Sequence, residues 1–191
     1  MIEKNAKGYL KRFNNAFNLI DWKSVENLYN DIKHCWINKK NVFLCGNGGS
    51  AGNAIHVAND FVYGVAKDKG YGISAIALSS NQSVITCLAN DISYDEIFSR
   101  QINVHGAEGD ILIVFSGSGN SKNVLNAISE AKKNGIKTHV IVGYDGGEAK
   151  KMAHNSIHLP INDMQIAEDS QLLICHIVMQ QLFAERVQVL G

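Results

Sequence analysis

Between Asn41 and Leu159 the chain carries five short apolar runs without polar alternation, and no other feature restricts its fold as strongly. Asn41–Cys45, Ile73–Leu78, Asp110–Phe115, Thr138–Val142 and Ser156–Leu159 each read as a strand. A strand with one wet face alternates polar and apolar residues, whereas a strand buried on both faces does not. Helical patterns separate the runs. From Ser50 to about Val65, Ala54, Val57, Ala58 and Phe61 share one face; Gln82–Ala89, Tyr94–Val104 and Ser121–Asn134 follow, the last stopping at Gly135. Strands alternating with helices predict an α/β fold, a three-layer sandwich around a parallel sheet. Helical segments Ile2–Leu19 and Val25–Ile37 make residues 1–40 an N-terminal extension, and a long helix over Ala167–Val189 closes the chain. The single proline, Pro160, falls between the last strand and the last helix, where it interrupts neither. A length of 191 residues suits one domain.

Charge narrows the partners. Lysine plus arginine and aspartate plus glutamate number 18 each, so the formal charge is zero. That balance leaves no electrostatic footprint for nucleic acid or an anionic membrane, and any bound anion needs a local device. Met1–Asn15 is polar and charged, and no apolar run approaches the roughly 18 residues of a membrane span. The expected location is therefore cytoplasmic. Four scattered cysteines without CxxC spacing are expected to be reduced core thiols.

Two glycine-rich loops follow the first and third strands, at the carboxyl ends where ligands of such sheets gather. In Ser116-Gly-Ser-Gly-Asn-Ser121 a strand turns into a helix, bringing free N–H groups, the helix dipole and three hydroxyls together. These suit a phosphate monoester at a site without a cation. The tract lacks the lysine of GxxxxGK[ST], which argues against a nucleotide P-loop. It also reads as a plain turn with a serine cap. Cys45-Gly-Asn-Gly-Gly-Ser50 suggests close backbone approach or positive φ, with Asn47 and Ser50 adding polar side chains, or simply a tight turn. His56 and Asp60, at i and i+4, share one helical face, within reach of one ligand or metal ion. Glu168, Asp169 and His176 lie on the last helix, with His176 inside an apolar stretch. Taken singly, the His/Asp pair also reads as a surface contact and His176 as a satisfied core histidine.

Together these pieces resemble the sugar isomerase (SIS) domain family, and within it the sedoheptulose-7-phosphate (phosphoheptose) isomerases. The residues that carry the resemblance are Gly46-Asn-Gly-Gly-Ser-Ala51, His56-x3-Asp60, Leu88-Ala-Asn-Asp91 with Glu96-Ile-Phe-Ser-Arg100, Ser116–Ser121, Tyr144-Asp-Gly-Gly147 and His176. The resemblance implies a five-stranded parallel sheet of flavodoxin-like type and a homotetramer with active sites at subunit interfaces. It implies that Ser116, Gly117, Ser118 and Ser121 hold the substrate phosphate. Asn47, Gly48, Gly49, Ser50, Asp91 and Glu168 would line the sugar site. Asp60 and His176 fall where the family exchanges protons with substrate, and His56, Asp60, Glu168 and His176 where some members bind zinc.

The chemistry is coherent on its own terms. Aldose–ketose isomerisation passes through an enediol, so one group must take a proton and another must protonate or polarise oxygen. A carboxylate and an imidazole suit these roles, and a remote phosphate anchor supplies binding energy to position the reacting carbons. The chain departs from the family pattern in three places. Asp60 replaces a glutamate, Glu168 replaces a glutamine, and an arginine usual after the catalytic carboxylate is absent from Asp60-Phe-Val-Tyr-Gly-Val65. The expected activity is conversion of sedoheptulose 7-phosphate to a heptose 7-phosphate, early in activated-heptose synthesis for surface polysaccharide. Two other readings stay open. One is an isomerase of a different phosphosugar; the other is a non-catalytic SIS module that binds a phosphosugar or a protein, like relatives that bind the replication initiator DnaA.

Overall fold

Successive strand residues feed two separate cores, as the unbroken apolar runs require. Val42 and Leu44 face one cluster with Ile113, Phe115, Ile141 and Ile157, while Phe43 and Cys45 face the other with Leu112, Val114, Val140 and Val142. The computed structural model describes residues 1–190. Its strands are β1 (Asn41–Cys45), β2 (Ser74–Ala77), β3 (Ile111–Ser116), β4 (Lys137–Val142) and β5 (Asn155–His158). They form one sheet in the order β2-β1-β3-β4-β5, parallel throughout. Val42 lies beside both Ala75 of β2 and Ile111 of β3, so β1 and β3 are neighbours although α-helices and β2 separate them in sequence.

The helices are α1 (Ile2–Phe17), α2 (Trp22–Ile37), α3 (Gly49–Val62), α4 (Gln82–Asp91), α5 (Ser99–His105), α6 (Lys122–Lys133), α7 (Gly147–Met152) and α8 (Met164–Leu190). Residues of α2, α3 and α8 pack into the first core, and residues of α5, α6 and α7 into the second. The three-layer α/β arrangement with a five-stranded parallel sheet is thus present.

Element boundaries move for identifiable reasons. Helix α2 begins at Trp22 rather than near Val25, because the Asp21 carboxylate accepts from the N–H of Lys23 at 3.0 Å and starts the helix. Asp163 does the same for α8, accepting from the N–H of Ile166 at 3.2 Å, so that helix begins at Met164. The expected helix over Tyr94–Val104 splits into a 3₁₀ turn at Tyr94–Glu96 and α5, with Ser99 donating to the carboxylate of Glu96 at the break. Helix α7 was not anticipated; at six residues it is too short to show a period.

One polar cluster ties α2 to α8. Tyr29 and Lys33 both donate to the carboxylate of Glu185 at 2.5 Å. The Lys33 ammonium, then the Tyr29 hydroxyl and the Gln181 amide, pull the Glu185 carboxyl down to about 2. A folded-state value below the unfolded one gives stability above the ordinary glutamate range, lost as pH falls toward 2. Glu185→Gln is expected to lower stability by about 0.5–1 kcal/mol at pH 7, given partial exposure and a hydrogen-bonded ion pair. The difference from wild type should shrink between pH 5 and pH 2 in urea unfolding. A difference independent of pH would contradict the assignment.

Candidate active site

The reversal of strand order between β1 and β3 opens a crevice at their carboxyl ends, and both glycine-rich loops line it. After β1 the chain passes through Gly48 at φ +55°, a left-handed conformation that glycine adopts without penalty. Gly49 and Ser50 then open α3, so their N–H groups lack intrahelical acceptors. After β3 the turn closes on itself: Ser116 Oγ accepts from the N–H of Gly119 at 3.0 Å, and Ser118 Oγ from the N–H of Asn120 at 3.3 Å. Gly119 sits at φ +70°, where a Cβ would overlap the carbonyl oxygen of Gly146. Ser121 occupies the N-cap of α6 with extended backbone, but its hydroxyl makes no capping bond.

These loops enclose a cavity of about 220 Å³. Ser116, Gly117, Ser118 and Ser121 form one wall, Asn47, Gly48, Gly49 and Ser50 another, and Met164 and Glu168 of α8 close it. Among the described residues no lysine or arginine lines it, and Glu168 is the single charged residue on the wall. The cavity can therefore bind an oxyanion only through hydroxyls, N–H groups and helix dipoles.

The second half of the site lies along α3 and α8. Their contacts march in step: Glu168 lies against Gly49, Asn53 Nδ2 donates to Gln171 Oε1 at 2.9 Å and to the Glu168 carbonyl at 3.0 Å, and His56 meets His176. His56 Nε2 and His176 Nε2 are 3.1 Å apart, and Asp60 Oδ2 lies 3.3 Å from the first and 3.2 Å from the second. Side-chain exposure of 51% for His56, 36% for His176 and 21% for Asp60 leaves the group open to solvent on one side. Three ligand atoms converge here. Ligands about 2.0–2.1 Å from a zinc ion form a tetrahedron with edges of about 3.3–3.4 Å. The observed separations fit that set, with the fourth position open.

Several expectations fall out differently. Glu168 does not join the triad, because about 12 Å of helix separates it from His176 at 1.5 Å per residue; its carboxylate lies over Gly49 instead. Asp91 does not line the cavity. It sits at the exposed end of α4, where the Asn90 amide and then the Cys87 thiol donate to its carboxylate and hold its pKa below the usual range. Sequence reasoning also missed Asn123 and Tyr94, which bond Asn47, and Asn53, which joins the two helices. Asn123 carried a weak signal: it is a polar residue on the inward face of α6, and only 1% exposed. The thiols nearest the site, Cys45 and Cys175, are buried and pushed far above the ordinary range by that burial, which removes them as nucleophiles.

The uncommitted hydroxyl of Ser121 gives a clean test of the cavity. Loss of a working N-cap costs about 1 kcal/mol, yet Ser121→Ala should leave the melting temperature close to wild type. The same variant should weaken binding of inorganic phosphate several-fold by calorimetry. A large stability loss with unchanged phosphate affinity would mean that the serine serves the helix and not a ligand.

Comparison with known proteins fits this geometry. Residues 8–143 match the SIS domain family. The chain is 43% identical over 152 residues to a phosphoheptose isomerase of Clostridium acetobutylicum, covering 78% of this chain and 77% of that one. It is 42% identical over 160 residues to the phosphoheptose isomerase of Sulfurimonas denitrificans, covering 80% and 82%. Among solved structures, phosphoheptose isomerases of Neisseria gonorrhoeae and Francisella tularensis share its fold with TM-scores of 0.86 and 0.88. Each of the two is 24% identical to it; the first covers 95% of this chain and 98% of its own, the second 95% of each. The chain belongs to the SIS domain family and, within it, to the phosphoheptose isomerases.

Proposed function

We propose that this chain is an aldose–ketose isomerase that converts sedoheptulose 7-phosphate to a heptose 7-phosphate. The observation that carries the reading is the pairing of a neutral oxyanion cavity with a carboxylate–imidazole contact, Asp60 Oδ2 to His176 Nε2 at 3.2 Å, on the two helices leading from it. His56 lies seven residues along α3 from Gly49, about 10 Å at helical rise. A seven-carbon chain ending in phosphate spans roughly the same distance at ordinary bond lengths. The phosphate is anchored by Ser116, Ser118 and Ser121 with the N–H groups of the loop, and Asn47, Gly48, Gly49 and Ser50 meet the adjoining sugar.

At the far end, Asp60 removes a proton from C1 of the ketose, and the C1–C2 enediol forms as the C2 carbonyl oxygen gains a proton. Delivery of a proton to C2 and loss of the proton on the C1 hydroxyl then gives the aldehyde. Without a bound metal, His176 Nε2 is the group placed to exchange the oxygen-bound protons; as a zinc ligand it could not, and the Lewis acid would take over that part. Asp60 Oδ2 faces the two imidazoles, which leaves Oδ1 as the oxygen that handles carbon-bound protons. Two imidazole nitrogens 3.1 Å apart satisfy each other only when one donates and the other accepts. His56, Asp60 and His176 would hold a zinc ion. Bound there, zinc polarises substrate oxygen as a Lewis acid.

The wider reading follows from the same residues. The chain acts as a single SIS domain with residues 1–40 as a helical extension. Exposed Ile55 and Val62 on α3, Tyr63 just after it and Ile177 on α8 flank the triad, which supports association into a homotetramer with sites at the subunit boundaries. No described helix is long and apolar enough to cross a membrane. That absence and the balanced charge support a cytoplasmic enzyme supplying activated heptose for surface polysaccharide, with no nucleic-acid partner.

Purified protein with added zinc should convert sedoheptulose 7-phosphate to an aldose product. His176→Ala should lower kcat by about 100-fold or more, the scale of a lost general acid–base group. A wild-type protein inert toward a panel of phosphosugars would overturn the reading. Chelation should abolish activity and zinc restore it; full activity in chelator with no metal by elemental analysis would remove zinc from the account.

A further inference from the structure

We infer that Asn123 and Tyr94 are positioning residues that lock the Asn47 side chain so that its one free hydrogen-bonding valence is a donor aimed at substrate oxygen. The inference rests on the substrate-site reading above and deepens it.

One backbone group at this site has an unambiguous role. The N–H of Val124 can only donate; it is shared between the Ser121 carbonyl at 3.0 Å and the Asn123 side chain at 2.9 Å, and an amide NH₂ facing it would set donor against donor, so the Asn123 atom there is the carbonyl oxygen. That fixes the other end of the Asn123 amide as a donor. Asn123 and Asn47 then form a reciprocal pair: Asn123 Nδ2 donates to Asn47 Oδ1 at 2.9 Å, and Asn47 Nδ2 donates to Asn123 Oδ1 at 2.9 Å. The Tyr94 hydroxyl donates to the same Asn47 Oδ1 at 3.0 Å. Both acceptor sites of that oxygen are therefore filled, and one of the two N–H bonds of Asn47 is committed. What remains is one N–H, on a residue that lines the cavity beside the serine loop.

The consequence is specificity by polarity. A carbonyl, hydroxyl or phosphate oxygen is accepted at this position, whereas a ligand offering an N–H or an ammonium there meets no acceptor on Asn47. The lock also joins three elements at one point, since Asn47 belongs to the β1 loop, Asn123 to the first turn of α6 and Tyr94 to the 3₁₀ turn before α5. Asn123 is nearly fully buried, so its amide cannot exchange these bonds for water.

The test is a double-mutant cycle with three readouts. Asn123→Asp keeps the acceptor for Val124 and for Asn47 Nδ2 but replaces the donor by an oxygen facing Asn47 Oδ1, which breaks the reciprocal pair. It should raise KM for sedoheptulose 7-phosphate about tenfold or more, and Tyr94→Phe about 2–10-fold, as expected for one or two hydrogen bonds. In the Asn47→Ala background neither change should add further to KM. Equal effects in both backgrounds would show a general structural role and overturn the inference. The ¹⁵N-labelled apo protein gives a readout independent of substrate. The Asn47 side-chain amide proton bonded to Asn123 should exchange slowly with solvent in wild type, unlike its free partner, and rapidly in Asn123→Asp; rapid exchange of that bonded proton in wild type would also overturn it. Slow exchange lost in Asn123→Asp, in a protein that turns over no phosphosugar, would uphold the lock and reject only the assigned substrate.

Discussion

The site depends on how α3 and α8 are registered against each other. Asn53 holds that register, its one amide nitrogen donating both to the Gln171 side chain and to the Glu168 carbonyl. Seven residues of α3 and eight of α8 then separate the cavity from the triad, so His56 and Asp60 arrive opposite His176. Gln171 is fully buried, and its Nε2 has no partner among the described residues. Removing Asn53 would leave its Oε1 unpaired as well, and unpaired buried amide atoms cost about 1–3 kcal/mol each. A slip of one residue along either helix would rotate a ligand by about 100° and take it off the shared face.

The sheet makes this alignment available. Pairing β1 directly with β3 puts both loops on one crevice, and helices that start from those loops begin with unpaired N–H groups facing the same space. A cavity built this way needs no cation of its own. In the proposed reading its oxyanion affinity comes from dipoles held by a rigid scaffold, which need not reorganise when ligand binds.

Much of this was visible in the sequence because burial on both faces writes itself as uninterrupted apolar runs. The strands at Asn41–Cys45 and Asp110–Phe115, and the loops after them, are therefore found within a residue of where they were expected. The i, i+4 spacing of His56 and Asp60 likewise fixed their common face. What could not be read depends on contacts distant in sequence. Nothing local to Asn123 or Tyr94 announces that they meet Asn47 from 76 and 47 residues away. The family resemblance groups Glu168 with the metal ligands, but helical rise carries it to the cavity. Asp91 is drawn aside by its own neighbours Cys87 and Asn90. Helix α7 escaped because six residues cannot display a period.

The central claim is that the cavity and the triad are the two ends of one substrate site. A crystal structure of the metal-free His176→Ala protein with sedoheptulose 7-phosphate tests it most directly. The account predicts the phosphate within hydrogen-bond distance of the Ser121 hydroxyl and the C1–C2 end of the sugar beside Asp60. Phosphate bound away from the Ser116–Ser121 loop, or a sugar whose C1–C2 end points away from α3 and α8, would contradict it.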